Sequence, residues 1–324
     1  MPRRRLTTLL ALALILLGPA PALAWNGRGH KTVAYIAYSN LSTAPSNNVR
    51  KRVDDLLKLH PRYGNWTAGV PANRRGVVAF MRASLWPDDI KGAPGFQNCV
   101  KNPNVSSFSD NCENRVWHYY DLPFSLDGTP LMNQPAPHAL TAIGDFMNTL
   151  RQTGGNPATL DPLKSYKLTW LIHIVGDIHQ PLHTTQRFRA GDTNGDGGGN
   201  DYKIKPFEME GLSFRPDNLH SFWDNLLGDE DSFDSIEALA KDDLMKKYRR
   251  EPPRPGADPQ RIMGWLIESH GLGRHFVHLI DLDRTGSDPP AVSAGYLFYS
   301  RHVARQRVTL AGYRLADLLN EHLR

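Results

Sequence analysis

The chain has 324 residues, 40% of them hydrophobic, and 38 Lys and Arg against 33 Asp and Glu give a formal charge of +5. That length is near the upper limit for one hydrophobic core, and no repeat, heptad run or linker of disordered composition divides it. So small a charge excludes a bulk basic surface for polyanions, and any attraction to phosphate has to come from a local site.

The first segment sets the compartment. Met1 to Arg5 is basic, residues 6–17 are almost continuously apolar, and Ala22-Leu23-Ala24 is a small-residue cleavage signature. This order reads as a secretory signal peptide cleaved after Ala24. The apolar run is short for a membrane span, so the mature chain is expected to be secreted or periplasmic, without stable membrane association. Cleavage removes Arg3, Arg4 and Arg5 and no acid, so the charge falls from +5 to +2.

From there helical periodicity dominates. Apolar residues at three- and four-residue steps predict helices over 31–41, 46–60, 137–151, 163–180, 218–227, 235–248, 260–270 and 291–323. Pro45-Ser46, Pro137 and Pro216-Asp217 supply start signals. Strand signals are confined to 202–204 and 212–214, which predict a small hairpin. The expected fold class is therefore all-α, a single compact multi-helix domain over residues 25–324 with at most that β-hairpin. Residues 190–201 read as a Gly- and Asp-rich loop and 249–259 as a proline-rich connection. The stretch from Asp192 to Gly197 matches the start of a calcium loop, but Lys203 stands where its bidentate Glu belongs, and the plain loop reading is preferred. Cys99 and Cys112 are expected to form a disulfide in an exported protein, with a zinc pair as the alternative. Asn40, Asn65 and Asn104 lie in glycosylation sequons, which matter only in a eukaryotic host.

The chemistry is concentrated in the run from His173 to His183, which holds His173, Asp177, His179 and His183 inside an otherwise apolar helix. His173 and Asp177 are four apart and share one helical face. Burying so many ionisable groups is costly unless they pair or coordinate a cation. Pro181 should end the helix and turn His183 back toward a neighbouring ion. His220 and Asp224 repeat the four-residue spacing in a second predicted helix. Asp88 in Trp86-Pro87-Asp88-Asp89-Ile90-Lys91 and His118 in Trp117-His118-Tyr119-Tyr120-Asp121 are weaker signals, each also compatible with a turn or an aromatic cluster. Processing after Ala24 would free the amine of Trp25, five residues before His30. An amine with a pKa near 8 yields its proton to a metal at modest cost.

Taken in order, these five motifs resemble the zinc-dependent single-strand nucleases and 3′-nucleotidases, the type I nucleases, within the phospholipase C–nuclease superfamily. The resemblance runs from Trp25 through the Tyr313-Arg314-Leu315 helix and implies a helical fold of that type with three zinc ions. One ion would take Asp88, His118, His173 and Asp177. A second would take the amine and carbonyl of Trp25, His30 and a shared Asp177. The third would take His183, His220 and Asp224. His179 has no ligand role in the pattern. The resemblance further implies catalytic roles for Asp88, Lys91 and Asp177, and substrate contacts from Lys91, Tyr119, Asp121 and Asn200. The family pattern has phenylalanine at the position of Tyr119. Implied substrates are single-stranded DNA and RNA and 3′-nucleotides, with 5′-phosphorylated products, and a monomer is expected. Stacking on an aromatic ring favours single strands because a duplex hides the faces of its bases. Two alternatives stand: a zinc phospholipase C, for which a Glu in place of Asp224 is expected, and a non-catalytic zinc-binding protein with closed four-ligand sites.

Overall fold

A computed structural model describes residues 25–252, 258–283 and 288–323. The expected signal peptide, residues 1–24, lies outside the described residues. The helices run α1 Gly27–Ser39, α2 Val49–Leu57, α3 Tyr63–Thr67, α4 Arg75–Ala83, α5 Trp86–Asp89, α6 Ala139–Leu150, α7 Pro157–Asp177, α8 Leu219–Asp224, α9 Phe233–Ala238, α10 Met245–Lys247, α11 Asp258–His275 and α12 Ala294–His322. None of the described helices is long and apolar enough to cross a membrane.

Helix α7 is the axis of the fold. Every residue from Lys164 to Asp177 is buried, because α1, α2, α4, α5, α6 and α12 all pack around it. A helix wrapped on all sides has no polar face, which is why this stretch reads as nearly continuous apolar sequence. It begins earlier than the predicted 163, at an Asn156 cap that accepts from Ala158 N at 3.0 Å, with Pro157 in the first turn. Those first turns project from the core and carry no apolar period. The other long contact joins α1 and α12. A Cβ at Gly312 would sit 2.7 Å from Ile36 Cβ and 3.0 Å from the Val33 carbonyl, so only glycine admits this approach.

Short helices α3, α4 and α5 were not among the expected elements. Helix α4 buries Ala79, Phe80, Met81 and Ala83, and its Gly76 lies where a Cβ would come within 2.2 Å of the Tyr38 hydroxyl. The predicted helix 235–248 is broken by a π-helical stretch, Leu239–Leu244, between α9 and α10.

The expected hairpin is absent among the described residues, and no strand forms at 212–214. Lys203 makes only an isolated antiparallel bridge to Asn218. The sheet is instead a parallel pair, β1 Leu122–Ser125 and β2 Thr185–Phe188, in register Leu122 to Thr185. These strands lie far apart in sequence, and Pro123 is tolerated because a two-stranded sheet has only edges. Each strand directly follows a candidate-site segment, β1 after His118 to Asp121 and β2 after His183, so the pairing holds those two segments side by side. The expected disulfide is present between Cys99 and Cys112.

Candidate metal centre

Histidine and carboxylate side chains from four segments converge at the C-terminal end of α7. His173 and Asp177 project from its last turns, His30 from the first turn of α1, Asp88 from α5, and His118 from the 3-10 turn Arg115–His118. Asp177 is fully buried, and its two oxygens face different partners. Oδ1 lies 3.2 Å from His30 Nε2, while Oδ2 lies 3.0 Å from His118 Nδ1 and 3.1 Å from His173 Nε2. Asp88 Oδ1 stands 3.6 Å from His173 Nε2 and 3.7 Å from His118 Nδ1. The two ring nitrogens are themselves 2.8 Å apart.

This packing can be tested against a cation. A tetrahedral zinc with bonds of about 2.0–2.1 Å separates its donors by about 3.3 Å. The donor set of Asp88, His118, His173 and Asp177 spans 2.8 to 3.7 Å, so it fits. The buried atoms His30 Nδ1, His118 Nε2 and His183 Nε2 have no hydrogen-bond partner among the described residues. Unsatisfied buried polar atoms beside this donor set fit a site that could hold an ion.

A second group, His183, His220 and Asp224, also brings its ligand atoms within 4.8 Å of one another. His220 Nε2 is 3.3 Å from Asp224 Oδ2. The outer contacts orient the rings. His173 Nδ1 donates to the Ser84 carbonyl at 2.6 Å, His183 Nδ1 to the His118 carbonyl at 2.9 Å, and His220 Nδ1 to the Gly198 carbonyl at 2.7 Å. Each donation fixes the tautomer that presents Nε2 to the centre, the usual way a protein prepares a metal-binding imidazole. Gln180 Nε2 donates to Asp224 Oδ1 at 2.8 Å and holds that carboxylate.

Burial and neighbouring charges set the titration of these groups. Burial pushes the Asp224 carboxyl well above its ordinary range. Burial acts the same way on Asp177, but His173, His118 and His30 outweigh it and hold the carboxyl well below that range. Burial, reinforced by Lys91, lowers His118 to about 3, and burial also lowers His30 and His183. Neutral imidazole is the form that binds metal. His173 departs from this: burial lowers it, but Asp177 and Asp88 reverse the shift and raise it.

Trp25 packs at the same end of α7. Its indole Nε1 donates to the Gly176 carbonyl at 3.0 Å, and Asn26 N donates to the Asp224 carbonyl at 3.1 Å. Residue 25 is thus threaded between the ends of α7 and α8. Gly176 makes room, since a Cβ there would lie 3.1 Å from His30 Nδ1.

A cavity of about 260 Å³ opens beside these groups and is lined by Lys91, Arg115, His118, Tyr119, Asp121, His183, Gly197, Gly198, Asn200 and His220. All four expected substrate-contacting residues, Lys91, Tyr119, Asp121 and Asn200, line it. Lys91 Nζ pairs with Asp88 Oδ1 at 2.6 Å. Asn200 Nδ2 donates to the Gly197 carbonyl at 2.8 Å. Burial, with the charge of Asp196 second, raises the Asp121 carboxyl to about 8. The loop that carries Asn200 is closed by protein groups: Asp196 accepts from Arg187 N at 3.0 Å and meets His278 Nε2 at 3.0 Å.

His179 lies apart, in the core. Its Nδ1 donates to the Val175 carbonyl at 2.7 Å and its Nε2 faces Arg314 at 3.0 Å. Sequence reasoning missed the positioning residues Ser84, Gln180, Gly176 and Gly198. Gln180 lay within the strongest motif, and Gly198 within a run of three glycines whose φ of +62° only the fold reveals. A further carboxylate–histidine group, Asp258, Glu321 and His322, has its acids paired with Arg151 and Arg261.

Known proteins resemble this chain in sequence. The chain is 28% identical to Endonuclease 3 of Arabidopsis thaliana over 211 residues, covering 64% of this chain and 55% of that protein. It is 25% identical to Nuclease S1 of Aspergillus oryzae over 207 residues, again 64% of this chain and 55% of the relative. The chain thus spans about half the length of the curated relatives it matches. The S1/P1 nuclease profile matches residues 25–324, and the chain belongs to the S1/P1 nuclease family.

Proposed function

We propose that residues 25–324 act as one exported, trinuclear-zinc phosphodiesterase domain that hydrolyses single-stranded DNA and RNA to 5′-phosphorylated products and removes phosphate from 3′-nucleotides. The observation that carries this reading is the convergence on Asp177: three imidazoles crowd its two oxygens next to a cavity holding Lys91, Tyr119, Asp121 and Asn200. Asp88, His118, His173 and Asp177 would hold one zinc, the Trp25 amine and carbonyl with His30 and Asp177 a second, and His183, His220 and Asp224 the third. Bound zinc supplies Lewis acidity, which brings the pKa of water toward neutrality and offsets phosphate charge. The protein's own groups do the rest. Lys91 adds a positive charge beside the phosphate, and Asn200 offers an amide to it. Tyr119 stacks on a base. Asp121 hydrogen-bonds the base edge.

The test is metal analysis of purified protein, processed to begin at Trp25, together with a substrate panel. About three zinc ions per chain are expected, with activity abolished by chelator and restored by zinc. Denatured DNA should be cut far faster than duplex, and phosphatidylcholine not at all. At most one tightly held zinc would sink the trinuclear reading, and hydrolysis of phosphatidylcholine in preference to DNA would move the chain to the phospholipase class. Within the same assay, Tyr119→Ala should raise KM for oligonucleotides about 5- to 100-fold, because stacking contributes about 1–3 kcal/mol per base. Loss of turnover at saturating substrate would instead make Tyr119 a catalytic or structural residue.

A further inference from the structure

Beyond the residues already given roles, the cavity at the candidate metal centre contains one guanidinium, that of Arg115. It sits three residues before His118, at the start of the same 3-10 turn. Its Nε pairs with Glu113, a carboxylate whose side chain is only 3% exposed, while the Arg115 side chain is 40% exposed. The second oxygen of Glu113 accepts from Gly92 N at 2.7 Å, next to Lys91. Glu113 is itself anchored, since its N–H donates to the Gln97 carbonyl at 3.0 Å and its neighbour Cys112 is bonded to Cys99. The terminal nitrogens Nη1 and Nη2 of Arg115 make no hydrogen bond within the described residues.

We propose that Arg115 is a second phosphate-binding residue, one that grips the phosphodiester next to the one being cleaved and so makes the site select a strand over a single nucleotide. This rests on the nuclease reading above. A guanidinium presents a planar fork of donors that matches two phosphate oxygens. Pinning Nε on a buried carboxylate preorganises that fork, so less rotamer freedom is lost on binding. One oxygen of Glu113 holds Arg115 and the other holds the Gly92 N–H, next to Lys91. Both cations line the same cavity, so a strand crossing it meets a second positive charge besides Lys91. A purely structural surface pair would not need its acid buried and its base exposed into the cavity.

The decisive experiment compares zinc-loaded wild type and Arg115→Ala on two thymidine tetranucleotides. One has three ordinary linkages, and the other carries neutral methylphosphonates at its two outer linkages. Cleavage of the central linkage is followed in both. For the charged substrate, Arg115→Ala is expected to lower kcat/KM about tenfold or more, the usual effect of one charge-assisted hydrogen-bonding group. For the substrate with neutral flanks the loss should be within about twofold. The slope of log kcat/KM against log salt should become shallower by about 0.7, one phosphate contact on a single strand. Arg115→Lys should restore the salt slope but only part of the rate. Equal losses on both substrates, or no loss on either, would overturn the assignment while leaving the nuclease reading intact. Failure of the wild type to cleave either substrate would bring down both.

Discussion

Replacing Asp177 by asparagine is expected to lower turnover on single-stranded DNA by at least about a hundredfold, the scale of losing a group that stabilises transition-state charge. The two oxygens of Asp177 face separate imidazole sets, His30 on one side and His118 with His173 on the other, at 3.0 to 3.2 Å, whereas Asp88 meets the same rings only at 3.6 to 4.0 Å. An amide in its place removes one negative charge and turns an NH2 group toward at least one of those nitrogens. Both proposed zinc sets that share Asp177 should weaken together, so metal content should fall along with rate. Elemental analysis and initial rates on the same preparation check this. Near-normal turnover at full zinc occupancy would remove the shared role of Asp177.

An extra residue ahead of Trp25 is expected to be nearly as damaging, with fold retained. The indole stays anchored on the Gly176 carbonyl, and the Asn26 contact to Asp224 does not depend on a free amine. The backbone of residue 25 would keep its place between the ends of α7 and α8. Its nitrogen, however, would become an amide, which holds its proton and ligates zinc poorly. The new amine would be displaced by up to about 3.5 Å along the chain, against a coordinate bond of about 2 Å. A protein carrying an uncleaved Met before Trp25 should therefore show an unchanged far-ultraviolet spectrum, one zinc fewer and strongly depressed activity. Full activity with three zincs bound would exclude the N-terminus from the centre.

The local half of the site was legible because helices impose a spacing. His173 with Asp177, and His220 with Asp224, could be paired on one face from the four-residue repeat alone. Asp88 and His118 were weak signals for the opposite reason. Each sits in a short turn, where spacing carries no periodic information, and only their neighbours in space give them meaning. Helices α3, α4 and α5 were overlooked on similar grounds, being too short or too glycine- and arginine-rich at their starts to show a clear period.

From the sequence came the helical class, the disulfide, the ionisable block buried in α7 and the candidate residues themselves. Each of these depends on local propensity, on composition or on spacing within a few turns, except Lys91, Tyr119, Asp121 and Asn200, which the family resemblance implied. The tertiary structure alone decided which groups meet. It threaded residue 25 between α7 and α8, and turned the two oxygens of Asp177 to different imidazoles. It also replaced the expected hairpin with a parallel pairing of Leu122–Ser125 and Thr185–Phe188 that holds the His118 and His183 segments side by side. Parallel partners are brought together by the packing of everything between them, and no short window of sequence records that. The same holds for Glu113 and Arg115, two residues of unremarkable spacing. Burial of the acid and exposure of the base into the cavity set them apart, and burial is a property of the fold.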